Sequence, residues 1–316
     1  MNDVKYFIGP MTKNVVDAVL EFSVDNENIF GFIPSRRQVE YNGGYVNNWN
    51  TKQFYEYVNG RVLIERDHSG PNQGYIVDDG FDSLVEDCKY LDCIHIDPWK
   101  RYPNYVDGLN WTIKMIKFCN SLNKSIKFEV GTEQSIREFT ASELDMLMHS
   151  LKDGLSSDEF SKIQYLVIQS GTSLKGNNNT GEYDSDKLLD MIRVCRKYNV
   201  TSKEHNGDYI PVELIHNKMK LGLDSINIAP EFGLIETISY IDYGIDIDKF
   251  WKICYDSKRW VKWVDDDFNP MIRKMDLIKI CGHYVFSNPE FQSIKPNIDN
   301  IVKNNIKQKL YELYRC

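Results

Sequence analysis

The sequence has no apolar run approaching the roughly 20 residues that a membrane-spanning helix needs. Its start, Met1-Asn-Asp-Val-Lys-Tyr6, carries no apolar signal core, so nothing there directs export. No Lys/Arg-rich run occurs and the formal net charge is -8, which argues against nucleic acid or an anionic membrane as partner. There is no CxxC pair: seven cysteines (Cys88, Cys93, Cys119, Cys195, Cys254, Cys281 and Cys316) lie scattered and odd in number. That pattern excludes a zinc knuckle and a disulfide framework, and it fits reduced thiols in a cytoplasmic protein. Neither GxGxxG after the first apolar run nor GxxxxGK[ST] is present, which weakens a nucleotide-binding reading. Internal repeats and low-complexity linkers are also missing; Asn177-Asn178-Asn179 between Gly176 and Gly181 reads as a flexible loop. What remains is 316 residues of ordinary globular composition, 42% hydrophobic and 13% aromatic, enough for one large domain or two modest ones.

Short apolar or β-branched runs recur at Tyr6–Ile8, Ile29–Ile33, Val62–Glu65, Cys93–Ile96, Ile126–Val130, Tyr165–Ile168, Val200–Ser202 and Ser225–Ile228. Between them lie segments of helical period, such as Val15, Val16, Val19 and Leu20, or Leu109, Ile113 and Ile116. Run starts are about 23 to 39 residues apart, the length of a βα unit. Eight alternating units predict an α/β fold, a (β/α)8 TIM barrel over residues 1–240, rather than an open doubly wound sheet. Residues 241–316 differ in character, with Trp251, Trp260, Trp263, an Asp265-Asp266-Asp267 turn and a Lys/Asn-rich final helix. They read as a helical extension packed on the barrel, closing one end or making an oligomer contact. Its tryptophans, and Cys93 in the fourth run, read as packing residues.

A barrel of this kind keeps its site at the C-terminal ends of its strands. There the sequence places Arg36-Arg37-Gln38, Asp67-His68, His95-Ile-Asp97, Glu129, Gln169-Ser-Gly171-Thr172, Lys203-Glu204-His205, Asp208 and Glu231. Three of only six histidines, His68, His95 and His205, fall at such ends. Imidazoles and carboxylates converging from separate strands suit a divalent ion, Zn2+ first and Mn2+ or Mg2+ next. His68, His205 and Glu129 are the expected ligands, with His95 either filling the barrel or orienting Asp97. Asp67, Glu129 and Asp97 are the carboxylates expected to move protons. Arg36, Arg37 and Lys203, with Arg66 as a further candidate, give the rim positive charge suited to a phosphate or carboxylate, unless they are spent in rim ion pairs. Gln38, Asn42, Gln169, Gly171, Thr172, Asp208 and Glu231 complete the expected substrate contacts.

Several strings occur in a telling order: Gln38-Val39 through Asn42-Gly-Gly-Tyr45, Asp67-His68-Ser-Gly-Pro-Asn72, Ile94-His-Ile-Asp97 and Val130-Gly-Thr-Glu133. Val167-Ile-Gln169-x-Gly171, Glu204-His205-x-x-Asp208-Tyr209, Ala229-Pro230 and His283-Tyr284 follow. From about residue 8 to about 290 this set resembles the tagatose-bisphosphate aldolase Z-type, non-catalytic subunit family, relatives of class II ketose-bisphosphate aldolases. The resemblance implies a metal-dependent barrel acting on phosphorylated ketohexoses, either as a C4 epimerase or as the partner of an aldolase catalytic subunit. It also implies an acid/base role for Asp67 and metal ligation by His68 and His205. The chain departs from the pattern at Ile33-Pro34, where a glutamate is usual, at Lys203 in a Glu-Ala-His string, and at Gln134-Ser-Ile-Arg137 in place of Pro-Gly-Gly.

The expected activity is therefore epimerisation of a ketohexose phosphate at C4 by reversible aldol cleavage, with Asp67 or Glu129 taking the C4 hydroxyl proton. Two alternatives stay open: a non-catalytic stabilising subunit, and an aldolase or epimerase for a non-phosphorylated or uronate ketose. The partners expected are a small sugar phosphate, with a second copy of the chain or an aldolase subunit also in view.

Overall fold

The computed structural model describes residues 4–26 and 29–315; Cys316 and Met1-Asn-Asp3 of the opening stretch lie outside the described residues. Eight parallel strands form the wall of a barrel: β1 (Tyr6–Ile8), β2 (Phe30–Phe32), β3 (Glu65–Ser69), β4 (Cys93–Ile96), β5 (Lys127–Val130), β6 (Ile163–Ile168), β7 (Thr201–Glu204) and β8 (Ser225–Ile228). Neighbours pair in sequence order, and β1 also pairs with β8, Tyr6 opposite Ile226 and Ile8 opposite Ile228. Parallel bridges from Phe32 to Ile64 and from Ser35 to Asp67 join β2 to β3 and close the ring. The fold is the (β/α)8 barrel that the spacing predicts.

Two strands run further than their composition suggests. The third was expected at Val62–Glu65 and lies at Glu65–Ser69, while the seventh extends past Ser202 to Glu204. Composition reads Glu-Arg-Asp-His and Lys-Glu as loop. In the barrel Glu65, Arg66, His68, Lys203 and Glu204 each find a polar partner, which lets charged residues continue a buried ladder. Arg66 shows how. It points outward, grips the Asp87 carboxylate at 2.9 and 2.6 Å, and donates to the carbonyls of Pro34 and Val39 at 3.0 and 2.6 Å. Arg66 therefore anchors the loop after β2 instead of adding charge to the rim.

Outside the barrel most of the core lies between strands and helices, whereas the lower interior is a small apolar plug of Val4, Phe7, Ile33, Cys93 and Tyr165. Beyond the last barrel helix, Pro230–Asp242, the chain continues through Ile247–Ser257, Lys274–Cys281 and Pro289–Ile294 to a final helix, Asp299–Tyr314. That helix buries Val302, Ile306, Leu310 and Leu313, one face at helical spacing, against Lys13–Asp25 and Pro230–Asp242. Full burial of four such side chains contributes up to about 1.5–3 kcal/mol each. Lys303 and Lys307 both pair with Glu21 across this contact, at 2.6 and 2.5 Å. Among the described residues, no helix is long and apolar enough to cross a membrane.

Candidate metal and active site at the barrel mouth

Successive residues of a strand face opposite sides, so Asp67 and His68 should not both point into the barrel. A bulge resolves this. Between Arg66 and Ser69 the register with β4 slips, three steps on β3 against two from Ile94 to Ile96. His68 takes up the extra residue in the left-handed region, φ 45°, a conformation histidine tolerates better than most side chains. Asp67 and His68 thereby both reach the C-terminal mouth. His95 arrives from β4 and His205 from just beyond β7, and the three imidazole centres form a near-equilateral triangle with sides of 5.1, 5.2 and 4.9 Å. One ligand-capable atom from each of Asp67, His68, His95 and His205 lies within 4.8 Å of all the others.

The hydrogen bonds around the triangle fix its tautomers. His68 Nδ1 lies 2.6 Å from the buried Asp97 carboxylate, His205 Nε2 lies 3.1 Å from Glu129, and His95 Nε2 donates to the Gly131 carbonyl at 3.0 Å. His68 and His205 each spend one ring nitrogen on an acceptor behind them and turn the other toward Asp67, while His95 Nδ1 accepts from the His68 backbone N–H at 3.3 Å. Metal-binding histidines are held in just this manner. Asp67 Oδ1 is buried with no hydrogen-bond partner, 3.7 Å from His68 Nε2 and 3.8 Å from His205 Nδ1. An orphaned carboxylate oxygen facing inward imidazole nitrogens is a donor set that fits a divalent ion.

Burial, with His205 and His68 nearby, keeps His95 well below the usual imidazole range, and burial with His68 and Lys203 does the same to His205. Burial also opposes charge on His68, but Asp67 and the Asp97 hydrogen bond overcome it and push it up to about 10. Asp67 is pushed up to about 6 by burial, against the pull of His68.

Beneath the triangle lies a charged layer. Lys203, fully buried, points inward and donates to Glu65 at 2.7 Å and to Glu129 at 3.3 Å, with its ammonium 3.7 Å from the centre of the Phe7 ring. Burial and the neighbouring Glu129 drive Glu65 well above the carboxylate range. The Lys203-Glu204 departure from the family string now has an explanation. Lys203 neutralises acids inside the barrel, whereas Glu204 faces outward and accepts from Lys218 at 2.8 Å and Thr172 at 2.9 Å. Lys203 is therefore a structural cation below the site and not a substrate contact.

Above the histidines opens a cavity of about 550 Å³ whose walls include Arg36, Arg37, Gln38, Tyr45, Asp208 and Tyr284. Arg36 is already saturated, with Glu40 at 2.6 Å, Asp78 and the Gly70 carbonyl at 2.8 Å. The Asn42-Gly-Gly-Tyr45 string serves the wall structurally. Gly43 has φ 103°, and a Cβ on Gly44 would stand 2.0 Å from the Gln38 carbonyl oxygen, so only glycines let Tyr45 fold back onto the cavity.

Several expected contacts lie elsewhere. Asn42 is exposed outside the cavity. Gln169 staples the β5 loop, donating to Thr132 and Arg137 carbonyls at 2.8 Å and accepting from Phe139 N at 2.9 Å. Gly171, φ 89°, would drive a Cβ to 2.0 Å from the Glu182 carbonyl oxygen, so this loop packs on itself and Thr172 is turned to Glu204. Glu231 faces the final helix and pairs with Lys309 at 2.6 Å. Asp208 stays in the cavity wall while capping the Pro230–Asp242 helix, accepting from Ala229 N at 2.9 Å and Glu231 N at 2.8 Å. Glu129 and Asp97 hold His205 and His68 from behind; neither belongs to the four-residue cluster.

His95, expected to fill the barrel or orient Asp97, instead completes the cluster. The structure also adds cavity residues that the sequence reading gave no ligand role. Asn206 and Asn227 are buried in the cavity wall with side-chain atoms lacking partners, a disposition suited to sugar hydroxyls. Lys100, Lys262 and Trp263 also line the cavity, the last two from the extension.

No protein-family model and no curated protein matches the sequence. Solved structures do match its shape. A protein described as a probable tagatose 6 phosphate kinase from Sinorhizobium meliloti 1021 superposes with TM-score 0.74 at 12% identity, covering 98% of this chain and 99% of that one. The fructuronate-tagaturonate epimerase UxaE from Cohnella laeviribosi gives 0.62 at 7% identity, over 99% and 78% of the two chains. The YdjI aldolase from Escherichia coli K12 gives 0.53 at 11%, over 98% and 91%. The likeness is one of fold. It spans the extension as well as the barrel, since nearly the whole chain is covered each time.

Proposed function

We propose that the chain is a metal-dependent carbohydrate enzyme and a distant relative of the Z-type tagatose-bisphosphate aldolase family. Its reaction is the C4 epimerisation of a ketohexose phosphate of the fructose/tagatose type through reversible aldol cleavage. The observation that carries this reading is the convergence of three imidazoles and Asp67 at the mouth of the barrel, ligand-capable atoms within 4.8 Å. A divalent ion held by His68, His95 and His205 would polarise a sugar carbonyl there. Names of two fold neighbours, a fructuronate-tagaturonate epimerase and an aldolase, support the same class of chemistry.

The protein's own groups divide the work. Asp67 takes the C4 hydroxyl proton as the C3–C4 bond breaks; burial puts its acidity near 6, close to the operating range of a general base. It holds that proton and returns it when the bond re-forms on the other face of the aldehyde. Asp97 and Glu129 keep His68 and His205 aimed, while Asn206 and Asn227 orient hydroxyls. Tyr45, Trp263 and Tyr284 enclose the cavity so that the aldehyde turns without leaving. An aldehyde that escapes makes the same site an aldolase.

The test is incubation with Zn2+, Mn2+ or Mg2+ and fructose 6-phosphate in D2O, followed by NMR. A C4 epimer with no carbon-bound deuterium is the expected result, and trioses would mark an aldolase. Deuterium at the inverted carbon would refute cleavage in favour of direct proton abstraction. No turnover and no metal uptake would leave a stabilising subunit for a separate aldolase.

A further inference from the structure

Four cations meet at the cavity mouth. Arg37 and Lys100 come from the loops after β2 and β4 and line the cavity with Lys262 of the extension. Arg259 stands behind them, its guanidinium carbon 4.4 Å from the centre of the Tyr75 ring and 5.7 Å from that of Tyr284. Among the described residues, none of the four makes an ion pair, in contrast to neighbouring Arg36 with its two carboxylates. Their contacts are neutral instead. Arg37 donates to the Gly74 carbonyl at 3.2 Å, Arg259 donates to the Tyr75 hydroxyl, and the Lys262 ammonium sits 4.1 Å from the centre of the Trp263 ring. Glu133 and Asp97 are the acids whose fields reach this group, and neither pairs with it. Lys262 keeps contact with solvent, yet desolvation by the residues crowding the mouth, then the fields of Arg37, Lys100 and Arg259, pull it down to about 7. Like charges gathered without acids are costly, and an anion arriving from solvent relieves the cost.

We propose that Arg37, Lys100, Arg259 and Lys262 form a phosphate subsite for the far end of the sugar, so that the C-terminal extension completes a site the barrel only begins. This deepens the reading above and rests on it for the identity of the sugar. Two observations favour phosphate over carboxylate. The charges of Arg37, Lys100 and Arg259 already exceed what a monoanion balances, and Lys262 regains its proton beside an anion, whereas a phosphate monoester carries about −1.5 to −2 at pH 7. The Gly171-Thr172 loop, the other place for a phosphate cradle, is closed on Glu182 and Glu204.

The experiment is calorimetric titration of inorganic phosphate into the full chain, with EDTA present so that phosphate cannot bind through a metal. It is repeated on the Arg259→Gln/Lys262→Gln double variant. Lys262 is exposed and Arg259 half-buried, so the variant is expected to keep its circular dichroism spectrum. Wild type should bind phosphate, and the double variant should bind it at least about tenfold more weakly, a loss of about 1.4 kcal/mol. Metal content measured on EDTA-free protein should be the same for both. Equal binding by wild type and variant, or no binding by wild type, overturns the subsite. Glucuronate bound more tightly than phosphate and lost in the variant overturns the phosphate assignment in favour of a sugar carboxylate. Phosphate binding that persists in a protein taking up no metal upholds the subsite while removing the chemistry proposed for the histidines.

Discussion

Replacing Lys203 by methionine tests whether the charged layer below the histidines holds the barrel together. Lys203 and Glu65 are fully buried and Glu129 is 1% exposed, so the substitution strands negative charge where water cannot reach it. Removing one partner of a buried ion pair costs about 3–5 kcal/mol, because the remaining charge keeps its desolvation penalty. Unfolding entropy near the midpoint is about 2.1 cal/mol/K per residue, hence about 0.66 kcal/mol/K for this chain, which puts the fall in Tm at about 5–8 °C. Protonation discharges stranded carboxylates, so the deficit should narrow as the pH is lowered from about 8 towards 5. In the Glu65→Met/Lys203→Met double variant the pair is replaced by apolar groups of similar volume, and at least half of the lost stability should return. Differential scanning calorimetry at two pH values reads all three quantities. A Lys203→Met protein melting within about 2 °C of wild type, or a double variant no better than the single, would refute the argument.

The remaining predictions are smaller. Asp97→Asn should lower metal affinity about 10–100-fold in a chelator competition, since His68 loses its charged anchor while all the ligand atoms stay in place. Asp224, which accepts from Arg196 at 2.7 Å and Ser202 N at 2.8 Å, is held below the usual carboxylate range; burial opposes this and those bonds prevail. A depressed carboxylate stabilises above its unfolded pKa and loses that contribution as pH falls through its folded one. Asp224→Asn should therefore cost about 1–2 kcal/mol at pH 7 in urea unfolding, with the gap closing below pH 4. Asn42→Ala, at an exposed turn outside the cavity, should stay within about 0.5 kcal/mol of wild type and leave turnover unchanged.

The barrel was legible because run spacing and helical period are local signals that eight units repeat. The histidines were legible as residues, since His68, His95 and His205 each end a strand that could be placed. Their arrangement was hidden in the backbone: nothing in Glu65-Arg66-Asp67-His68 announces a bulge, and without it Asp67 and His68 face opposite sides. Long-range pairing defeated the charge reading for the same reason. Arg36, Arg66 and Lys203 look alike in sequence, yet Asp78, Asp87 and Glu65, each 20 or more residues away in sequence from its partner, claim them. Lys100, Arg259 and Lys262 were passed over because their shared position depends on how the extension returns to the mouth.

The final helix seals the seam of the ring. It lies across the first helix and the last barrel helix, the two that flank the junction of β1 and β8. During synthesis the partner face of Lys13–Asp25 leaves the ribosome about 270 residues ahead of the helix that covers it. At about 5–20 residues per second, that face waits roughly 14 to 55 s with Phe22 and its neighbours uncovered. Until the final helix arrives, that face is an apolar surface open to a chaperone or to a neighbouring chain.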